Sequence, residues 1–97
     1  MPGYIIVRIK VNDTETYDRY KAQTPGVIEQ YGGRFLVRGG RNETLEGEDR
    51  GLDRVVVLEF PNYEQAREFY HSPEYQEILG LRLQAADSEG VLVEGVG

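Results

Sequence analysis

The chain has 97 residues, which suits one domain spanning 1–97 and leaves no room for a second. It has no cysteine and one histidine, His71, which excludes disulfides, thiolate metal sites and multi-histidine sites within one chain, and we expect neither metal nor cofactor. A formal charge of −6 argues against nucleic acid and anionic membranes as partners, because both are bound through lysine and arginine. No apolar run approaches the ~20 residues of a spanning helix, and no signal pattern opens the chain, so we expect a cytoplasmic protein.

The first predicted elements are a strand and a helix. Alternating apolar residues over Tyr4–Val11 predict the strand. Asn12 stands three residues before a glutamate, which is the spacing of a reciprocal helix cap, so we expect the helix to begin there. Pro25 lacks a donor N–H and clashes with the preceding turn, so we expect a break near Thr24. The glycine pair at 32–33 is expected to end this helix.

Two strands and a loop are predicted in the middle of the chain. Arg34–Arg38 is a short strand followed by two glycines, and we expect 41–45 to continue it. The polar, glycine-containing stretch 46–53 is expected to be an exposed loop. Arg54–Phe60 is the most apolar strand, and its apolar residues on both faces indicate an interior position in the sheet.

A second helix and a last strand complete the pattern. Asn62 is a predicted cap, and the Ser72-Pro73 pair predicts that the helix stops and restarts, with serine as cap and proline at the first helical position. The helix is expected to continue to about Ala86, and Val91–Glu94 is the last predicted strand. The two halves repeat the order strand, broken helix, strand. This repeat predicts an α+β domain of β-α-β-β-α-β order with one antiparallel sheet.

Both faces of the predicted sheet carry apolar residues. In the first strand, Tyr4 and Ile6 lie opposite a fully apolar face, and in the third strand Val55 and Val57 lie opposite Val56. Helices cover only one face of such a sheet, and the apolar area of the other face is large for a monomer of this size. We therefore expect a homodimer with the two sheets packed face to face. The alternative is a monomer with scattered apolar surface residues.

Four segments resemble a known family when taken in order. They are Tyr31–Gly40, Glu59–Pro61, Ser72–Gln76 and Val91–Gly95. Over essentially its full length the chain resembles the small proteins of the domain of unknown function 1330 family, in the dimeric α+β barrel superfamily. The resemblance implies a ferredoxin-like monomer and a barrel formed by two sheets. It implies no activity, because relatives in the superfamily include cofactor-free monooxygenases, isomerases and haem-binding enzymes.

Arginines are the first candidates for ligand binding. Arg34 and Arg38 are predicted to share one strand face, where guanidinium groups would bind an anionic molecule. The alternative is that they pair with acidic residues of the chain. Arg82 lies on an apolar helical stripe and either reaches solvent or pairs in a half-buried site, with Glu59 as the candidate partner. Glu59 is then either a general base or half of a structural ion pair.

Histidine and tyrosine side chains are the candidates for proton transfer. His71 lies at the predicted helix break. Histidine is the only side chain whose unperturbed pKa lies near neutral pH, but a histidine at this position also offsets the helix dipole. Tyr20 and Tyr75 fall on helical stripes. They either pack in the core or turn their hydroxyl groups into a cavity, where they would bind or protonate a substrate.

Two classes of function fit these residues. The first is a cofactor-independent enzyme, an isomerase or monooxygenase, acting on a small cyclic, aromatic or anionic molecule in a site between sheet and helices. The second is a non-catalytic module for ligand binding or assembly. The candidate catalytic residues are His71, Glu59 and Tyr20, and the candidate ligand-binding residues are Arg34, Arg38, Tyr75 and Arg82.

Overall fold

Residues 1–96, which the computed structural model describes, form four strands and three helices. In chain order these are β1 (Gly3–Val11), α1 (Thr14–Gln30), β2 (Arg34–Arg38), β3 (Arg54–Phe60), α2 (Tyr63–His71), α3 (Pro73–Ala85) and β4 (Ala86–Glu94). The α+β class is confirmed, and the second predicted helix divides into α2 and α3 at Ser72. Within this described part of the chain, no helix is both long and apolar enough to cross a membrane.

The four strands form one antiparallel sheet in the order β2-β3-β1-β4. β1 pairs with β3 from Gly3↔Phe60 to Ile9↔Arg54. On its other edge β1 pairs with β4 along its full length. β3 is therefore an interior strand, as its apolar composition predicts. This arrangement is the ferredoxin-like sheet that the resemblance implies.

β4 is longer than predicted, because it begins at Ala86 and not at Val91. The stretch 87–90 contains aspartate, serine, glutamate and glycine, and it lacks the alternation that predicts a strand. Each of these residues nevertheless pairs with a residue of β1. Pairing with a central strand thus imposes the extended conformation on a segment whose own composition does not favour it.

α1 runs unbroken through Pro25, so the predicted break is wrong. A proline leaves the carbonyl four residues earlier without its helical donor, and here that carbonyl belongs to Lys21. Arg38 Nη2 donates to this oxygen at 3.2 Å, which replaces the missing N–H. The cap of α1 also differs from the prediction. Asp13, not Asn12, accepts from the backbone N–H of Thr16, at 3.2 Å.

Residues 41–45 do not continue β2, so the predicted extension is wrong. The chain leaves the sheet after Arg38, and Asn42 closes the resulting loop. Its Nδ2 donates to the carbonyls of Gly40 and Asp53 at 3.0 and 2.9 Å. The side-chain amide of Asn42 therefore donates to backbone carbonyls that would be hydrogen-bonded to a neighbouring strand if the sheet continued. The predicted loop at 46–53 lies outside the sheet and is exposed as expected, except that Leu52 is buried and Gly51 half-buried.

The core lies between the helices and one face of the sheet, and aromatic rings form its centre. The ring of Phe69 lies 4.9 Å from Phe60 and 4.5 Å from Tyr75, measured between centroids. Tyr31 makes an edge-on contact with Phe69 at 6.1 Å. These four residues come from β3, α2, α3 and the end of α1. The aromatic cluster therefore joins all three helices to the sheet.

Ser72 caps α3 from a buried position, and its loss is expected to cost more than loss of the exposed cap Asp13. Its Oγ accepts from the Tyr75 N–H at 3.1 Å and donates to the Phe69 carbonyl at 2.7 Å. Ser72→Ala is expected to lower the free energy of unfolding by about 1–2 kcal/mol, because water has poor access to replace these bonds. Asp13→Ala is expected to lower the free energy of unfolding by less, because water replaces the bonds of an exposed cap. Urea denaturation measures both, and equal losses would contradict this account.

Candidate functional site

A β-bulge at Leu36 separates the two arginines of β2. There the register against β3 shifts by one residue, so that Arg34 pairs with Glu59 and Arg38 with Val56. Because side chains alternate along a strand, the extra residue places Arg34 and Arg38 on opposite faces of the sheet. The prediction that they share one face is therefore wrong.

Arg34 and Glu59 lie on the sheet face opposite the helices, which we call the open face. Arg34 Nη2 and Nε lie 2.7 and 2.8 Å from Glu59 Oε1, and the Tyr4 hydroxyl donates to Oε2 at 3.2 Å. Both carboxylate oxygens are therefore engaged. Of the two alternatives for Glu59, a general base or half of a structural ion pair, the ion pair fits, and its partner is Arg34. Pairing of Glu59 with Arg82 is wrong, because β3 directs Glu59 away from the helices.

Arg38 lies on the helix side and covers a small cavity beneath α1, which we call the inner cavity. Its guanidinium carbon lies 4.4 Å from the centroid of the Phe35 ring, in addition to its bond with the Lys21 carbonyl. The inner cavity has a free volume of about 30 Å³, which is room for one or two water molecules. Tyr20 and Tyr75 also line it. In this conformation the inner cavity is too small for a substrate.

The hydroxyl groups of Tyr20 and Tyr75 meet in the buried interior, 2.7 Å apart. Either hydroxyl group can be the donor of this hydrogen bond, and both side chains are buried. Burial, followed by the neighbouring Tyr75, raises the pKa of Tyr20 far above its usual value. Tyr20 therefore stays protonated at neutral pH and does not act as a base.

Arg82 points from α3 into the interior, with only 4% of its surface exposed. Its Nη1 donates to Ser88 Oγ at 2.6 Å, and its guanidinium carbon lies 5.8 Å from the centroid of the Tyr20 ring. Among residues 1–96 its Nε has no hydrogen-bond partner, and no carboxylate lies within ion-pair distance of the guanidinium. Buried arginines are normally paired, so this side chain is the unusual feature of the interior.

A cleft of about 360 Å³ opens beside Arg82, between the sheet and the α2–α3 pair. We call it the basic cleft, because Arg67, His71 and Arg82 line it and no aspartate or glutamate of the described chain does. Apolar side chains of β1, α3 and β4 form the rest of its wall, among them Ile5 and Leu83. Its volume is within the range of small-molecule sites.

Arg67 and His71 lie at the exposed end of the basic cleft, on one face of α2. They are four residues apart, so they are neighbours on the helix surface. The His71 ring lies edge-on to Tyr70, with 5.3 Å between centroids. His71 is therefore solvent-accessible and adjacent to the space where a ligand would bind.

The structure thus divides the predicted site residues into three groups. His71 and Arg82 share the basic cleft, whereas Tyr20, Tyr75 and Arg38 line the inner cavity behind it. Arg34 and Glu59 belong to the open face and to neither space.

Sequence reasoning missed two residues of the basic cleft. Arg67 stands four residues before His71, and this helical spacing is a signal that would have found it. Ser88 lies in the polar start of β4, and no pattern links it to Arg82. In the described part of the chain, no group of three or more acidic, histidine or cysteine side chains is arranged to hold a metal ion.

Solved structures share this fold at low sequence identity. A protein of unknown function from Rhodopseudomonas palustris is 24% identical with a TM-score of 0.78, over 99% of this chain and 83% of that one. SnoaB, a cofactor-independent oxygenase from Streptomyces nogalater, is 16% identical with a TM-score of 0.63, over 99% and 94%. A dimeric ferredoxin-like protein of unknown function from Jannaschia is 13% identical with a TM-score of 0.66, over 98% and 100%. At these identities the likeness shows the fold alone.

Among curated proteins, no match to the chain was found. A family model gives a more specific result. The model for the domain of unknown function DUF1330 matches residues 2–96, which is nearly the whole chain. The resemblance of its four segments is thereby confirmed, and the chain belongs to the DUF1330 family.

Proposed function

We propose that this protein is a homodimeric, cofactor-independent enzyme of isomerase or monooxygenase type that acts on a small cyclic or anionic molecule in the basic cleft. The observation that carries the proposal is the charge of this cleft. Three basic residues and no acidic residue of the described chain line it, although acidic residues outnumber lysine and arginine by 17 to 11 in the sequence. A cleft of this sign in an acidic protein favours an anionic ligand.

The side chains of the cleft supply the two parts that proton-transfer chemistry needs. His71 lies at the open end of the cleft, where its imidazole would accept or donate a proton. Arg82, in the interior, stabilises negative charge that develops on a substrate oxygen. Both reaction types begin in the same way with this pair, by removal of a substrate proton and stabilisation of the resulting anion. An isomerase returns the proton to another carbon, whereas a monooxygenase passes electrons of the anion to O2, which leaves one oxygen atom in the product and the other in water. The fold shared with SnoaB is compatible with this chemistry and carries no activity by itself.

Homodimer formation is proposed from the open face of the sheet. Val37, Val91 and Val93 are exposed there, and the half-buried Ile6 and Val57 lie between them. The Jannaschia protein of the same fold is described as dimeric. Pairing of two open faces would remove this apolar area from water.

The function is tested by incubating the protein with a panel of small aromatic and alicyclic acids and ketones. We expect NMR shifts of basic-cleft residues for at least one compound, and conversion of that compound detected by mass spectrometry. Leu83→Trp fills the cleft and is expected to abolish both signals. Leu45→Trp, a leucine in the exposed loop, is the matched control and is expected to change neither.

Two other outcomes would replace this proposal. A compound that binds in the cleft and is recovered unchanged, with air and at several pH values, would make the protein a non-catalytic ligand-binding module. If no compound of the panel shifts cleft residues, an assembly module is the remaining function.

A further inference from the structure

We infer that the basic cleft takes small monocarboxylic acids, and that Arg82 binds the carboxylate group. This inference rests on the proposed small-molecule site and adds the chemical class of the ligand and its orientation. The carboxylate lies against Arg82 in the interior, and the body of the molecule extends along the apolar wall.

The first observation is that Arg82 is buried and incompletely bonded. With 96% of its surface covered, it donates from Nη1 to Ser88 Oγ, the Tyr75 hydroxyl lies beside the guanidinium as a hydrogen-bonding neighbour, and its Nε has no partner in the described chain. A buried N–H without an acceptor is rare in folded proteins, because its loss of hydration is not repaid. An acceptor that approaches the Nε edge of the guanidinium would satisfy it.

The second observation is that the charge of Arg82 is not offset by its neighbours. The four ion pairs formed within residues 1–96 involve other cations, namely Arg8, Lys21, Arg34 and Arg50. Tyr20 and Tyr75 lie beside the guanidinium, but the raised pKa of Tyr20 keeps that hydroxyl neutral. A buried cation without a counter-ion is costly. An anion from outside would supply the missing charge.

The geometry of the free edge favours a carboxylate over a phosphate. Nε and Nη2 of an arginine form two parallel N–H groups, which match the two oxygens of a carboxylate. The interior end of the cleft offers one cationic side chain, Arg82, whose Nη1 donates to Ser88 Oγ, and one further donor, the Ser88 O–H. A phosphate dianion would need further donors and a second positive charge at this depth. One buried guanidinium therefore suits a monoanion.

The wall of the cleft determines the size and polarity of the rest of the ligand, beyond its carboxylate group. Ile5, Val7, Leu83 and Leu92 line it together with the ring of Tyr70. A volume of about 360 Å³ accommodates a single ring or a short branched chain. Benzoate is therefore a suitable probe, and benzamide is its neutral control of the same shape.

The experiment measures binding of benzoate, benzamide and inorganic phosphate by titration calorimetry, with NMR shifts of Leu83 and Leu92 to locate the ligand. We expect benzoate to bind in the cleft and the other two probes to bind at least about tenfold more weakly. Arg82→Met is expected to weaken benzoate binding about 10- to 100-fold while leaving benzamide binding unchanged. Arg82→Lys keeps the positive charge but lacks the two parallel N–H groups of a guanidinium, and its affinity for benzoate is expected to lie between those of the wild type and Arg82→Met. Arg41→Met, in the exposed loop, is the matched control and is expected to bind benzoate as the wild type does.

The variants are informative because replacing a buried unpaired cation with an apolar side chain is compatible with folding. If benzamide and benzoate shift cleft residues with equal affinity, the carboxylate inference is wrong and the small-molecule cleft stands. If phosphate binds more tightly than benzoate and loses affinity in Arg82→Met, the site is an inorganic anion site and the inference is also wrong. If Arg82→Met binds benzoate as tightly as the wild type does, Arg82 is not part of the site. If none of the probes shifts the NMR signals of cleft residues, both the inference and the proposed function are wrong.

Discussion

Phe69→Ala is expected to lower the free energy of unfolding by about 3–5 kcal/mol, the usual loss for a fully buried phenylalanine. Only 1% of Phe69 is exposed, and its ring contacts Phe60, Tyr31 and Tyr75. Removing it leaves a cavity where three helices meet the sheet. A small domain has a total stability of about 5–15 kcal/mol, so this loss is a large part of it.

Urea denaturation at one fixed protein concentration measures this loss, because the proposed association would contribute to the apparent stability. Phe35→Ala is the matched control. Phe35 is half-buried on β2, an edge strand, and stacks on Arg38, so its loss is expected to be less than half that of Phe69. Similar losses for the two variants would show that the aromatic cluster is not the centre of the core.

Val57→Asp is expected to convert the proposed homodimer into a folded monomer. Val57 lies on the open face, where its cross-strand neighbours are Ile6 of β1 and Val37 of β2. In a face-to-face dimer an aspartate at this central position is a buried charge without a partner, which costs about 3–5 kcal/mol. The dimer dissociation constant is then expected to rise by about 100-fold or more. In the monomer the same carboxylate faces water, so the fold is retained.

Light scattering and circular dichroism measure these two effects separately. The mass is expected to fall from twice 11.0 kDa to 11.0 kDa, with an unchanged far-ultraviolet spectrum. Leu45→Asp introduces the same charge in the exposed loop and is expected to remain dimeric. A Val57→Asp protein that stays dimeric at micromolar concentration, or a wild type that is monomeric, would refute pairing through the open face.

Local sequence signals predicted most of the fold, because those signals act over a few residues. The Ser72-Pro73 restart, the Asn62 cap and the Arg54–Phe60 strand lie where their patterns place them. Contacts between distant parts of the chain account for the errors. Pro25 remains inside a helix because Arg38, thirteen residues away in sequence (38 − 25), serves the carbonyl that proline leaves free.

The sequence predicts which residue types form the candidate site, but not which residues they bond to. Arg82 stands out in the sequence as a cation on an apolar stripe, and the structure places it in the interior. Its neighbour Ser88 comes from a polar stretch that becomes a strand only through pairing with β1. Glu59 pairs with Arg34 and not with the predicted Arg82, because β3 directs Glu59 to the open face, and the apolar residues on both faces of β3 do not indicate which face the helices cover.

The bulge at Leu36 lets five residues of β2 serve two surfaces. Before it, Arg34 belongs to the face proposed for subunit association, and after it Arg38 belongs to the roof of the inner cavity. A strand without the extra residue would direct both arginines to one side. Amino-acid changes at its start and at its end therefore act under separate constraints, so that the association surface and the interior are free to diverge independently within one short segment.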